Sequence, residues 1–233
     1  PQRRATAAAI VKQLRSVDTL GSTSALTSDK TGTLTMNQMT AVQMSIAGRR
    51  YTITGTGYST NGVVTQAAGQ TPVPLEPYLL PMALCSDAEV SGGKLTGDPT
   101  EGALVVLATK GGVDVDQTRE TYPRVATLPF DAAYKLMATF HDWTDQKGKK
   151  VVRAYIKGSQ DQLLQRAATI DGPDGKPVPA SKLHDNYVAE SDRMGKLGMR
   201  LMATGFKDFD PATFDPDGDL LKAIDGLELL ALV

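Results

Sequence analysis

The sequence predicts an α+β protein: an antiparallel sheet flanked by helices, entered through a short α/β segment. Three observations carry that prediction. Short runs rich in β-branched, aromatic and other apolar residues recur along most of the 233 residues. Several are joined by turn chemistry rather than by helices, so neighbouring runs fold back on each other. Helical spacing appears around this block and ahead of it, where one helix leads into a single strand.

In chain order, residues 6–15 have helical spacing, with Ile10, Val11 and Leu14 on one side, and Ser22 to Thr27 reads as a strand. Val42 to Ile46 and Tyr51 to Ile53 alternate about Gly48 as a hairpin. Pro72 to Pro81 leads into a helix that includes Leu84 and Cys85. A second helix starts at Asp98, where aspartate caps, Pro99 suits the first position and Glu101 sits three residues on. Extended segments follow at Arg124 to Leu128, Lys135 to Phe140 and Val151 to Ile156, the last two joined by the charged turn 146–150. Ser159 with Gln162 reads as a capping box for a helix over Leu163 to Ala168. Residues 171–175 are loop chemistry. Ser181 to Leu197 is helical, with Leu183, Val188, Met194 and Leu197 apolar, and a strand is expected at Arg200 to Thr204. An acidic loop covers Asp208 to Asp219, and the last residues return as a strand.

Composition narrows the function classes. With 41% hydrophobic residues the chain supports a full core. Lysine and arginine total 25 against 26 acids, so a net charge of -1 offers no basic field for nucleic acid. Cys85 is the only cysteine, which excludes a disulfide framework and a thiolate metal site, and His141 and His184 have no companions at ligand spacing. The longest apolar run, about Ala103 to Ala108, is far below the roughly 18 residues that span a bilayer. The start at Pro1 and the apolar stop at Val233 read as an excerpt from a longer protein.

The most informative stretch is Ser28-Asp29-Lys30-Thr31-Gly32-Thr33-Leu34-Thr35. It places an aspartate at the end of an expected strand, where open α/β sheets bind ligands, with a lysine beside it and a glycine that permits a tight turn. A carboxylate accepts a phosphoryl group when their mutual repulsion is neutralised, which makes Asp29 the candidate nucleophile.

This stretch resembles the phosphorylation signature of the P-type ATPases, the ion pumps that carry Asp-Lys-Thr-Gly-Thr, and the resemblance extends over nearly the whole chain. Leu14 to Gly21 resembles the approach to that aspartate in the calcium and sodium-potassium branch. It implies that 1–39 is a fragment of the α/β haloacid-dehalogenase-like phosphorylation domain and 40–233 the nucleotide-binding domain. It further implies that Asp29 is phosphorylated by ATP, that Lys30 and Thr31 contact the transferring group, and that Asp29 and Thr31 belong to an incomplete magnesium site.

Gly97-Asp98-Pro99-Thr100-Glu101 resembles the adenosine-side motif, where Glu101 meets the adenine amino group with Thr100 near it; read alone, the same residues are a helix start. Leu128-Pro129-Phe130-Asp131 with Lys135 resembles the segment in which a phenylalanine stacks on adenine and a lysine borders the pocket; read alone, Phe130 is a core residue past a strand end. Animal-type calcium pumps carry an arginine two places after that phenylalanine, and here Ala132 stands there. Lys157-Gly158 resembles the lysine-glycine pair of the adenine pocket, Lys157 beside the ring and Gly158 admitting close approach. Arg200 resembles the arginine that reaches the phosphates, or it is an exposed residue opening a strand.

The implied cofactors are ATP and Mg2+. The implied partners are the rest of the phosphorylation domain, the actuator domain and the transmembrane helices of the same polypeptide, with no nucleic acid. The implied location is the cytoplasmic face of a membrane, with this segment itself soluble. A second aspartate pair in a Gly-Asp-Gly-x-Asn-Asp run and a distal lysine do not occur before Val233, so the segment alone is expected to bind nucleotide weakly and not turn over. The alternative is a free-standing phosphohydrolase of haloacid-dehalogenase type with a lid insert. Such enzymes carry a second aspartate two residues after the nucleophile, and Thr31 occupies that place. The entry segment and the Ile53-Thr54-Gly55 region resemble the calcium-pump branch, and that likeness implies calcium as the favoured ion.

Overall fold

The structure, a computed structural model, describes residues 24–233, so the helix expected at 6–15 and the first residues of the strand expected at 22–27 lie outside the described residues. The chain divides between Asn37 and Gln38 into two compact units. In the first, residues 24–27 form no strand, contrary to the sequence expectation. A strand exists through its ladder partner, and none is present for this segment among the described residues. One π-helical turn follows over Lys30–Leu34, closed by the Thr35 N–H on the Lys30 carbonyl at 3.1 Å.

The second unit is built on one large sheet. Its first strands are β1 (Gln43–Ile46), β2 (Arg49–Ile53) and β3 (Val64–Gln66). Helix α1 (Glu76–Leu84), the small hairpin β4 (Glu89–Ser91) and β5 (Lys94–Thr96), and helices α2 (Pro99–Lys110) and α3 (Val115–Thr121) follow. Then come β6 (Arg124–Asp131), β7 (Leu136–Thr144), β8 (Lys150–Gly158), α4 (Gln160–Arg166), β9 (Ala167–Asp171) and β10 (Pro177–Pro179). The chain closes with α5 (Ala180–Lys196), β11 (Ala203–Phe209), α6 (Leu220–Ala223) and β12 (Leu227–Leu232). The order across the sheet is β3-β2-β1-β12-β11-β8-β7-β6, and β9 pairs with β10 and β12. All pairings are antiparallel except β9 with β12. The antiparallel sheet with flanking helices is the fold class the sequence implies.

Alternation sends successive strand residues to opposite faces. On one face Met44, Ile46, Tyr51 and Ile53 pack on Leu79 and Met82 of α1 and Leu104 and Leu107 of α2. Met137 and Tyr155 extend that side against Leu80, Leu84 and Cys85. Their neighbours Leu136, Ala138, Ala154 and Ile156 turn the other way and meet Leu163 of α4 and Met194 of α5. Helices α1 and α2 are apolar nearly all round because they are buried nearly all round.

Several sequence boundaries shift. The strand expected at Arg200 to Thr204 is β11, beginning at Ala203, and Arg200 lies in the irregular lead beyond Gly198, whose φ is +76°. The helix expected to reach Ala168 ends at Arg166, because residues 167–171 are taken up as β9 against β12 and β10. Ser159 makes no capping bond through its side chain. On α5 the buried stripe is Ala180, Tyr187, Ser191 and Met194, while Val188 and Leu197 face outward. Strand β7 begins one residue late, since Lys135 occupies a positive-φ turn at +52°. Strand β6 runs on past Leu128 to Asp131.

One acid pair, Asp171 buried and Glu228 half-buried, links three elements. The Tyr78 hydroxyl of α1 donates to Asp171 Oδ2 of β9 at 2.6 Å, and Glu228 of β12 contacts the same aspartate. Burial and the Asp171 charge push Glu228 up to about 7, and burial with Asp174 nearby also raises Asp171, while Thr169 and Arg153 act on Glu228 in the opposite sense. Folded-state values above the ordinary ones mean that the folded chain binds more protons than the unfolded chain. The stability these carboxyls contribute is therefore present below about pH 4.5 and is lost as pH rises toward 7. Glu228→Gln is expected to flatten this slope and to raise the urea midpoint at pH 8 relative to the parent. Parallel midpoint-against-pH curves for the two proteins would refute the assignment.

Candidate functional site

The site in the second unit forms around the first turn of α2. Asp98 accepts the backbone N–H groups of Thr100 at 2.8 Å and Glu101 at 3.1 Å, which is the cap the sequence predicts. A capping box would bring the Glu101 carboxylate back onto the helix start. Instead, Glu101 Oε1 accepts from Lys157 Nζ at 2.6 Å and Oε2 accepts from the Asp87 N–H at 3.1 Å. The helix start thus accounts for Asp98 and Pro99 but leaves Glu101 committed elsewhere.

Lys157 reaches Glu101 because β8 alternation puts it on the α1/α2 side, between Met137 of β7 and Thr204 of β11. Its side chain is 3% exposed and that of Glu101 is 15% exposed. The ammonium is sealed in while the carboxylate retains an edge to solvent, with acceptor capacity beyond its two protein partners. Cys85 is buried in the apolar cluster with Met137 and Tyr155, and burial raises its thiol pKa, so it is packing rather than a nucleophile.

Gly158 has a packing reason of its own. A Cβ there would fall 2.5 Å from the Lys135 carbonyl oxygen and from Leu136 Cβ, so glycine is what lets β8 lie against the start of β7. The Lys135 backbone is tied on both sides: its N–H donates to the Asp131 carbonyl at 2.7 Å, and its carbonyl accepts from Ser159 at 3.0 Å. The Lys135 side chain is exposed.

Phe130 is not a core residue. It is 62% exposed, and it sits where the β6–β7 register slips between Leu128 and Asp131. Leu128 faces Ala138 while Asp131 faces Leu136, so three steps on β6 match two on β7. Counted back from Asp131, Phe130 falls beside Met137, on the face that carries Lys157. The bulge turns an aromatic ring that simple alternation would bury out toward solvent.

Arg200 and Thr100 border one cavity of about 220 Å³, together with Gln38, Gln43 and Met202. Arg200 is exposed. In the first unit Asp29 and Lys30 are exposed, the Ser28 hydroxyl donates to the Asp29 carbonyl at 3.2 Å, and the side chain of Thr31 lies outside what is described. Among the described residues no group of three or more His, Cys, Asp or Glu could hold a metal ion. No described helix is long and apolar enough to cross a membrane.

Sequence reasoning missed Asp87, whose backbone N–H fixes Glu101, since a backbone donor leaves no residue signature. It also missed the hairpin of β4 and β5, whose Leu95 packs on Gly102 immediately after Glu101.

Residues 75–228 match the family described as "P-type ATPase, cytoplasmic domain N". The chain is 35% identical over 216 residues to the cation-transporting ATPase pma1 of Synechocystis sp., covering 87% of this chain and 23% of that protein. It is 35% identical to calcium-transporting ATPase 1 of Lactococcus lactis, covering 85% and 21%, and 34% identical to calcium-transporting ATPase type 2C member 1 of Mus musculus, covering 84% and 22%. The chain therefore spans less than a quarter of the length of these relatives.

Proposed function

Because the chain belongs to the family of P-type ATPase cytoplasmic N domains, we propose that it holds ATP for an ion pump whose phosphoryl acceptor is Asp29. The observation that carries this reading is the Glu101 carboxylate, withdrawn from its own helix cap and oriented by Lys157 and the Asp87 N–H with one edge open. An exposed aromatic at the β6 bulge supplies a stacking surface, and Glu101 supplies an acceptor for an exocyclic amino group. Thr100 and Arg200 border the side on which the phosphates would lie, where a guanidinium pairs two oxygens at once. Lys135 contributes charge at the rim, and Gly158 serves by keeping the β7 and β8 ends in register.

In the proposed transfer an Asp29 carboxylate oxygen bonds to the γ-phosphorus as the bond to the β,γ-bridging oxygen breaks, and ADP leaves. Lys30 offsets the charge that would otherwise repel nucleophile and phosphate. Asp29 and Thr31, together with carboxylates from the rest of the phosphorylation domain, would hold magnesium, which would supply further neutralisation of phosphate charge. Within this reading residues 1–39 belong to the phosphorylation domain and 40–233 to the nucleotide-binding domain. The actuator domain and transmembrane helices of the same polypeptide are its partners at the cytoplasmic membrane face. Calcium is the favoured ion, since two of the relatives above are named calcium-transporting ATPases.

The test is titration of the isotope-labelled chain with ATP. Amide shifts are expected at Glu101, Phe130, Lys157 and Arg200, with an affinity on the order of millimolar to sub-millimolar. Shifts confined to other surfaces, or none at all, would overturn the reading.

A further inference from the structure

The Asp87 N–H orients Glu101, and Asp87 sits in a segment that secondary structure does not hold. Residues 85–88 follow the end of α1, where the last carbonyls of a helix have no intrahelical donor. The last turn of α1 has no basic residue to answer them. Two arginines from distant elements do so instead. Arg119 of α3 donates through Nε to the Ala83 carbonyl at 2.9 Å and through Nη2 to the Ala88 carbonyl at 3.0 Å. Arg124 of β6 donates through Nη2 to the Ser86 carbonyl at 2.6 Å and pairs through Nη1 with Asp87 Oδ1 at 2.7 Å.

Placing two guanidinium groups together is unfavourable, and burial with the neighbouring Arg124 charge lowers the Arg119 pKa. The negative end of α1 and the ring of carbonyls offset that repulsion. From the other side Gly97 closes on the segment: a Cβ there would lie 3.0 Å from Ala88 Cα. Residues 86–88 are thus gripped between two planar forks and a glycine, and the grip presents the Asp87 N–H to Glu101 Oε2.

We propose that Arg119 and Arg124 are positioning residues for nucleobase discrimination, acting through the Asp87 N–H on Glu101. The proposal rests on the ATP-binding reading above. Neither arginine need touch the nucleotide. With the segment held, the Glu101 carboxylate keeps one orientation and its open edge meets the adenine amino group. With the segment loosened, Glu101 keeps only its Lys157 contact and turns about it, and the preference for an amino over a carbonyl substituent fades.

The experiment compares the full chain with Arg124→Gln, Arg119→Gln and Asp87→Asn, reading ATP and inosine triphosphate affinities and the hydrogen exchange of the Asp87 amide in the nucleotide-free protein. Each arginine variant is expected to lose about three- to tenfold in ATP affinity with little change for inosine triphosphate, and to exchange the Asp87 amide about tenfold faster. Asp87→Asn keeps the backbone donor but weakens the pair with Arg124, so it is expected to fall between the parent and Arg124→Gln in both the affinity ratio and the exchange rate. Lower thermal stability with an unchanged ratio of the two affinities would show a purely structural role and overturn the proposal. Should the glutamine variants fail to fold, Arg124→Lys retains the charge at the helix end but not the fork, and must still lower the affinity ratio. If the parent chain binds neither nucleotide, the ATP reading falls by itself. The exchange of the Asp87 amide then decides the clamp: unchanged exchange in the arginine variants overturns it.

Discussion

Glu101→Ala is expected to destabilise the chain by about 3 kcal/mol, because it strands a buried ammonium. The Lys157 side chain is 3% exposed and its charge is answered by Glu101 Oε1 at 2.6 Å. Removing the acid leaves that charge in a buried position beside Met137 and near Cys85. Lys157→Met is expected to cost far less, about 1 kcal/mol, since the remaining carboxylate still receives the Asp87 N–H and reaches water at its open edge. The double change Glu101→Leu with Lys157→Met is expected to recover most of the loss, as apolar replacements of buried ion pairs commonly do. Urea unfolding of the three variants measures this asymmetry. Equal midpoints for Glu101→Ala and the parent would mean that the pair contributes nothing and that Glu101 is held in some other way.

Phe130→Ala separates binding from stability. At 62% exposure the ring buries too little to matter for the core, so the unfolding free energy is expected to change by no more than about 0.5 kcal/mol. Nucleotide affinity is expected to fall by about 1 to 3 kcal/mol, roughly five- to 150-fold, the usual worth of a base stacked on an aromatic. Phe130→Trp, which keeps a π face, is expected to bind at least as well as the parent. The measurement is the same ATP titration that tests the function. An alanine variant that binds like the parent would remove stacking from the site and leave the exposed ring unexplained.

Much of the fold was legible because its causes are local. The period-two runs that became β1 and β2, the cap at Asp98 and the all-round apolar character of α1 and α2 are written in neighbouring residues. Three features that misled the reading depend on partners. Residues 24–27 are strand-like in composition yet unpaired among the described residues, Ser159 sits at a helix start without bonding it, and the buried stripe of α5 runs through Tyr187 and Ser191 rather than Val188.

By itself the sequence determined which chemical groups are present: a carboxylate beside a lysine in the Asp29 loop, an acid three residues past a helix cap, a lysine-glycine pair and an aromatic after a proline. The tertiary structure alone decided what the second-unit groups do to one another. Lys157 and Glu101 meet across 56 residues, β8 alternation buries the lysine, and a bulge exposes Phe130 on the same face. The reason is physical. A helix cap or a turn is settled by bonds within a few residues, whereas burying a charge or freeing a carboxylate depends on desolvation, and desolvation is set by whichever distant segments pack alongside.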